Sequence, residues 1–248
     1  MTTITHNLRL VRDRIHAACL TVERDPAGVR LLAVSKTFDA AAVIEAVAAG
    51  QAGFGENYIT EGVEKILALR QWRQDESAHS GAAAQALEWH CIGPIQSNKT
   101  RLVAEHFDWV QSVDRLKIAQ RLSEQRPAGL APLQVCLQDN VDGGANKSGV
   151  APGDAQALAE EVARLPRLVL RGLMSIPEPA TDFVAACALH ARAKAVFDQI
   201  NASGALPVAM DTLSLGMTED LEAAIHAGST LVRVGRAIFG GRLSLPAR

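Results

Sequence analysis

The run Leu31-Leu32-Ala33-Val34-Ser35-Lys36 carries an apolar segment straight to a lysine. A buried ammonium is costly unless paired, and the same burial favours a neutral amine that can attack a carbonyl. Lys36 is therefore either a strand-end charge reaching water along its own stem or a nucleophile able to form an imine. A second group of chemistry-bearing residues lies near the C-terminus. In "TLSLGMTEDL", Thr212 to Leu221, Ser214 and Gly216 lead to a helix start at Thr218, where a hydroxyl and backbone N–H groups can converge on an anion. In "LVRVGRAIFGG", Gly235 and Arg236 close another apolar run, and Gly235 lets a ligand approach the backbone. Arg233 alternates with Val232 and Val234, so its side chain points away from both valines. If it is buried there, the guanidinium needs an acceptor, either the carboxylate of an ion pair or an atom of a ligand.

The elements that must position these residues alternate along the chain. Candidate strands are Arg30 to Lys36, Gly53 to Asn57, Trp89 to Gly93, Trp109 to Val113, Leu133 to Asn140, Val169 to Ile176, Thr212 to Met217 and Leu231 to Phe239. Helical patterns fall near 39–50, 58–70, 96–106, 114–126, 153–164, 181–201 and 219–228, and Asp39, Asp114 and Thr218 are capping-type residues at three of the starts. Strand and helix alternate throughout, which predicts a parallel sheet with crossover helices. Eight such units in 248 residues match a closed (β/α)8 barrel of the TIM type, an α/β fold, better than an open doubly wound sheet. The segment 73–87, polar and then Ala-rich, reads as a long surface loop within a single domain spanning 1–248.

In such a barrel the C-terminal strand ends build the active face, and phosphate often binds after strands seven and eight. Those ends are polar here: Lys36, Glu56-Asn57, the "GPIQSNK" that follows His90, the "QDN" of strand five, and Met174-Ser175. An imine-forming lysine, a phosphate cradle across the barrel mouth and a lone arginine together describe a pyridoxal 5'-phosphate (PLP) site. Class I aldolases also combine a barrel lysine with a phosphate site, so the residues alone leave both readings open.

The stretches "LLAVSKTF", "GFGENY", "WHCIGPIQSNKTR", "KSGV", "RGLMSIP", "LSLGMTEDLEAAI" and "LVRVGRAIFGGR" together resemble the pyridoxal phosphate homeostasis proteins, the YggS/PROSC group, which are similar to the N-terminal barrel of alanine racemase. The resemblance runs in order from the first strand to the last. It implies a fold-type III barrel that holds PLP as a Schiff base on Lys36. It also implies that Arg233 faces the pyridine nitrogen, that Ser214, Gly216, Met217, Gly235 and Arg236 hold the phosphate, and that Asn57 lines the cofactor. Three features depart from the pattern: Arg236 stands where many relatives carry threonine, Cys91 replaces a larger apolar residue, and the 73–87 segment is longer than usual. Lys147 in "NKSGV" is a secondary candidate for the carrier amine.

The function this implies is intracellular PLP (vitamin B6) homeostasis with little or no turnover, with apo-PLP enzymes as the acceptors. A PLP-dependent amino-acid racemase is the alternative. Racemisation needs an acid–base group on each face of the substrate, and the chain has a single tyrosine, Tyr58, to offer opposite Lys36. An aldolase would need a general acid near the lysine, for which Glu56 is the candidate. A formal net charge of -2 gives no basic excess for nucleic acid, and no apolar run has membrane-spanning length. Four scattered cysteines without a CxxC pair argue against a disulfide framework or a metal site and for a cytoplasmic protein. The lack of a second domain after the barrel predicts a monomer.

Overall fold

In a computed structural model, which describes residues 3–80, 86–143 and 148–241, eight parallel strands close into a barrel in the order β1 to β8. The strands are β1 (Arg30–Val34), β2 (Gly53–Glu56), β3 (Glu88–Cys91), β4 (Trp109–Val113), β5 (Leu133–Asp139), β6 (Leu168–Ser175), β7 (Thr212–Ser214) and β8 (Leu231–Val234). Between them run α2 (Ala40–Ala48), α3 (Ile59–Ser80), α4 (Thr100–His106), α5 (Leu116–Gln125), α6 (Ala155–Ala163), α7 (Phe183–Ala202) and α8 (Leu221–His226). The N-terminal α1 (Thr3–Thr21) packs against α2, α8 and the short α9 (Arg236–Phe239), so the helical layer continues across the seam where β8 pairs with β1.

Side-chain alternation along the strands sorts the core into two regions. Phe54, Trp89, Cys91, Val110, Val135, Leu213, Val232 and Val234 face outward and join the helix side chains in the main hydrophobic cluster. Leu32, Val34, Ile92 and Leu231 pack together inside the barrel, and Trp109, Cys136 and Met174 form a second inner group. The interior departs from the layers of branched apolar residues that usually fill such barrels, because His90, Gln111, Ser214 and Arg233 share it, all fully or nearly fully buried.

Four expectations need correction. The segment 73–87 is not wholly a loop, since α3 continues to Ser80; its charged and alanine residues are good helix formers and nothing before Gly81 stops them. Residues 81–85 lie outside the described residues. The eighth strand ends at Val234, because at Gly235 the chain turns into α9. Asp39 does cap α2, accepting from Ala42 N at 2.9 Å, whereas Asp114 pairs with Arg115 and α5 has no side-chain cap. The helix after β7 starts not at Thr218 but at Leu221, with Asp220 in the cap position, and the Asp220 carboxylate accepts instead from Met217 N at 2.6 Å.

Candidate cofactor site

Lys36 leaves β1 into a short turn that other elements hold tightly. The next residue, Thr37, has φ +68, a left-handed conformation that is uncommon for a branched side chain. Its N–H donates to the Glu61 carboxylate at 2.6 Å. On the other flank, buried Lys65 donates to the Ser35 carbonyl at 2.7 Å and also pairs with Glu56 at 2.6 Å and Glu61 at 2.8 Å. The Ser35 hydroxyl donates to the same Glu56 oxygen. Both peptides that flank Lys36 are thus clamped from α3. Burial raises the pKa of Glu56, and the Lys65 ammonium opposes that shift. Replacing Lys65 by methionine would strand Glu56 without its cation, and urea denaturation should register a loss on the order of 3–5 kcal/mol. Glu56, the candidate aldolase acid, therefore belongs to this clamp: it packs against Gly62 of α3, on the face of β2 opposite Asn57.

A cavity of ≈ 680 Å³ opens at the C-terminal ends of the strands. Lys36, Asn57, Met217, Arg233, Gly235 and Arg236 all line it, with Val34 and Ile92 among the apolar neighbours. Ile176 and Phe183, each partly exposed, line it as well. Ser214 and Gly216 are not among the lining residues. The Ser214 hydroxyl is buried and accepts from Arg233 Nη1 at 2.6 Å. Gly216 is required by the turn itself: its φ is +86, and a Cβ would meet Ala224 Cβ at 2.5 Å. Lys147 lies outside the described residues.

Arg233 is 3% exposed, and among the described residues no carboxylate lies within ion-pair distance. Nη1 donates to the Ser214 carbonyl at 2.7 Å and to the Ser214 hydroxyl, and Nη2 donates to the Ser175 carbonyl at 2.9 Å. These bonds account for at most three of the five guanidinium N–H groups, and Arg233 itself lines the cavity. Burial pushes the arginine pKa down to about 10, which still leaves it charged near neutral pH. Arg236 sits at the rim and pairs with Glu219 at 2.9 Å, both largely exposed.

The whole chain can be set beside known proteins. Residues 1–243 match the alanine racemase N-terminal domain family. The chain is 56% identical over 242 residues, 98% of its length and 97% of the relative's, to the pyridoxal phosphate homeostasis protein of Pseudomonas aeruginosa. It is 50% identical to that of Escherichia coli K12, covering 98% of each. The chain belongs to the pyridoxal phosphate homeostasis protein family. PipY of Synechococcus elongatus, solved with PLP bound, is 33% identical with a TM-score of 0.76, covering 96% of this chain and 100% of that one. Alanine racemase from Corynebacterium glutamicum, 15% identical with a TM-score of 0.62 over 99% of this chain and 63% of that one, shares the fold.

Against that family pattern, two features of the site escape a reading of the sequence. One is Gly93, whose Cβ would lie 2.2 Å from the Asn57 carbonyl oxygen, so the loop after β3 can pass Asn57 only without a side chain. The other is the α3 clamp on Lys36, whose members lie 21 to 30 residues from Ser35. "EGVEK" does carry a signal, since Glu61 and Lys65 stand four apart on one helix face. Nothing local indicates that this face points at strand one. Among the described residues no helix is long and apolar enough to cross a membrane, and no group of three or more His, Cys, Asp or Glu could hold a metal.

Proposed function

We propose that this protein binds PLP as a Schiff base on Lys36 and acts in intracellular PLP homeostasis, as a single-domain cytoplasmic monomer with little or no turnover of its own. The observation that carries the reading is Arg233, a buried guanidinium with no carboxylate within ion-pair distance among the described residues, lining the same cavity as Lys36. A buried cation with N–H groups left over suits a neutral aromatic nitrogen that accepts a hydrogen bond. Relatives at 50–56% identity carry the name pyridoxal phosphate homeostasis protein, and PipY has been solved with PLP bound.

When bound, PLP supplies an aldehyde for the amine, a dianionic phosphate and a conjugated ring able to accept electrons. The chain's own residues would do the rest. Lys36 Nζ would form the covalent link from a turn held by Glu61 and Lys65. Gly235 and Met217 would bring backbone to the phosphate end, and Arg236 would add a positive charge there. Gly235 leaves little room for a side chain, since a Cβ would lie 3.1 Å from the Val34 carbonyl oxygen. Asn57, the residue after β2, would line the cofactor. Ser214 acts one step away, by holding Arg233.

A racemase reading needs a second base opposite Lys36, and Tyr58 does not supply it: the ring is half exposed and is not among the lining residues. A guanidinium at the ring nitrogen also disfavours its protonation, which weakens the cofactor as an electron sink. The test is to load the purified protein with PLP, record its absorbance before and after borohydride reduction, and map the labelled peptide. The loaded protein is then incubated with amino acids and, separately, with an apo-PLP enzyme. We expect label on Lys36, PLP appearing in the apoenzyme, and no amino-acid turnover. Turnover on the order of 1 s⁻¹ or faster would overturn the carrier reading in favour of the racemase.

A further inference from the structure

The barrel interior contains an unbroken file of hydrogen bonds from one mouth to the other. At the N-terminal mouth, in a second cavity of ≈ 760 Å³, Glu88 pairs with Arg30 at 3.1 Å, and its carboxylate lies 2.7 Å from His90 Nε2. His90 Nδ1 is 2.9 Å from Gln111 Nε2. The Ser214 hydroxyl donates to Gln111 Oε1 at 2.7 Å, and Arg233 Nη1 donates to the Ser214 hydroxyl. His90, Gln111 and Ser214 are fully buried, and the His90 ring stacks on Trp109 at 5.0 Å.

The two ends dictate the direction of every bond between them. A carboxylate only accepts and a guanidinium only donates. His90 must therefore be neutral with its proton on Nε2, so that Nδ1 can accept from the Gln111 amide. The Gln111 oxygen is then left to accept from Ser214, and the Ser214 oxygen to accept from Arg233. If His90 carried a second proton, Gln111 would have to flip its amide. Ser214 would then accept from both neighbours, and its own proton would have no acceptor in the file. Full burial of His90 favours the neutral ring, in agreement with this order.

We propose that His90 and Gln111 are positioning residues: acting through Ser214, they aim the Arg233 guanidinium into the cofactor cavity. The purpose assigned to that aim rests on the PLP reading of the cavity, whereas the order of the bonds does not require a ligand. A structural role for two buried polar residues would require only that they be satisfied. The directed role makes Arg233 depend on a glutamine two hydrogen bonds away. Arg126 provides an internal control, since it is also buried and donates to three carbonyls, of Ala131, Ala104 and Phe107, outside this file.

The test follows guanidinium N–H exchange by nitrogen-15 NMR in ligand-free protein. Gln111→Leu removes the acceptor that orients the Ser214 hydroxyl. Arg233 exchange should accelerate roughly ten- to a hundredfold, the range for losing a hydrogen bond to a charged group, while Arg126 stays unchanged. Gln111→Glu should restore slow exchange, because a carboxylate accepts from Ser214 and from a His90 that takes up a second proton. Unchanged Arg233 exchange in Gln111→Leu, or equal acceleration of Arg126, overturns the proposal. Should neither variant fold, the wild-type histidine spectrum decides, since a His90 proton on Nδ1 contradicts the order of the bonds. PLP uptake by the same wild-type sample is scored separately. Slow Arg233 exchange without any PLP uptake would refute the cofactor reading alone, and PLP uptake with relay-independent exchange would refute the relay alone.

Discussion

Replacing Lys36 with alanine should abolish the borohydride-reducible chromophore of the PLP-loaded protein while leaving the barrel folded. Lys36 follows β1 and lines the cavity, so truncating it removes no layer of the core. The turn that carries it is held through its backbone, by Glu61 at the Thr37 N–H and by Lys65 at the Ser35 carbonyl, and the substitution spares both bonds. The covalent link, by contrast, depends wholly on the amine. Absorbance before and after reduction, together with circular dichroism of the same sample, separates the two effects. A reducible chromophore that survives in a folded Lys36→Ala variant would assign the carrier to another lysine, and peptide mapping would show which.

The second large effect is expected at Arg233. Arg233→Glu should raise the protonated fraction of the cofactor ring nitrogen, since a carboxylate stabilises the pyridinium that a guanidinium opposes. The stronger electron sink should speed exchange of the amino-acid α-proton for deuterium in the PLP-loaded variant. The structure adds a cost. The carbonyls of Ser214 and Ser175, which accept from the guanidinium, would face a carboxylate with no donor to offer. Stability should therefore fall by several kcal/mol, about 3–5 by analogy with other orphaned buried charges. Arg233→Gln, neutral and still able to donate, should lie between the two in stability and gain little in exchange. Equal exchange rates in wild type and a folded, PLP-loaded Arg233→Glu variant would remove Arg233 as the restraint on the cofactor.

The relation between the two candidate residues shows how far local sequence reaches. Lys36 is conspicuous because an apolar run delivers it, and Arg233 because it interrupts a valine alternation. Both signals are local and follow from the two-residue period of a strand. The eight strand–helix units follow from the same kind of pattern, and their number and order agree with the closed barrel. Structure and local pattern differ where local preference competes with context. Strand eight reads as a long apolar run to Phe239, yet the chain turns at Gly235 into a helix packed on α1. The helix after β7 starts three residues later than Thr218 suggests, because the Asp220 carboxylate binds Met217 N and stabilises the turn before it.

By itself, then, the sequence determined which residues could do chemistry and on which elements they stand, because periodicity and strand ends are properties of neighbouring residues. Only the tertiary structure decided what each of those residues faces. Among the described residues it leaves Arg233 with no carboxylate within ion-pair distance and gives it instead two carbonyls and a hydroxyl, from β6 and β7. It turns Ser214 away from the cavity lining and into the file that ends at Glu88. It also places Lys65 and Glu61 of α3 on either side of the Lys36 turn. Apart from the Glu88–His90 contact, two residues apart, these partnerships join residues 19 or more apart in the chain, the Ser214–Gln111 bond as many as 103. Closing the barrel sets them side by side, and burial then makes their hydrogen bonds obligatory.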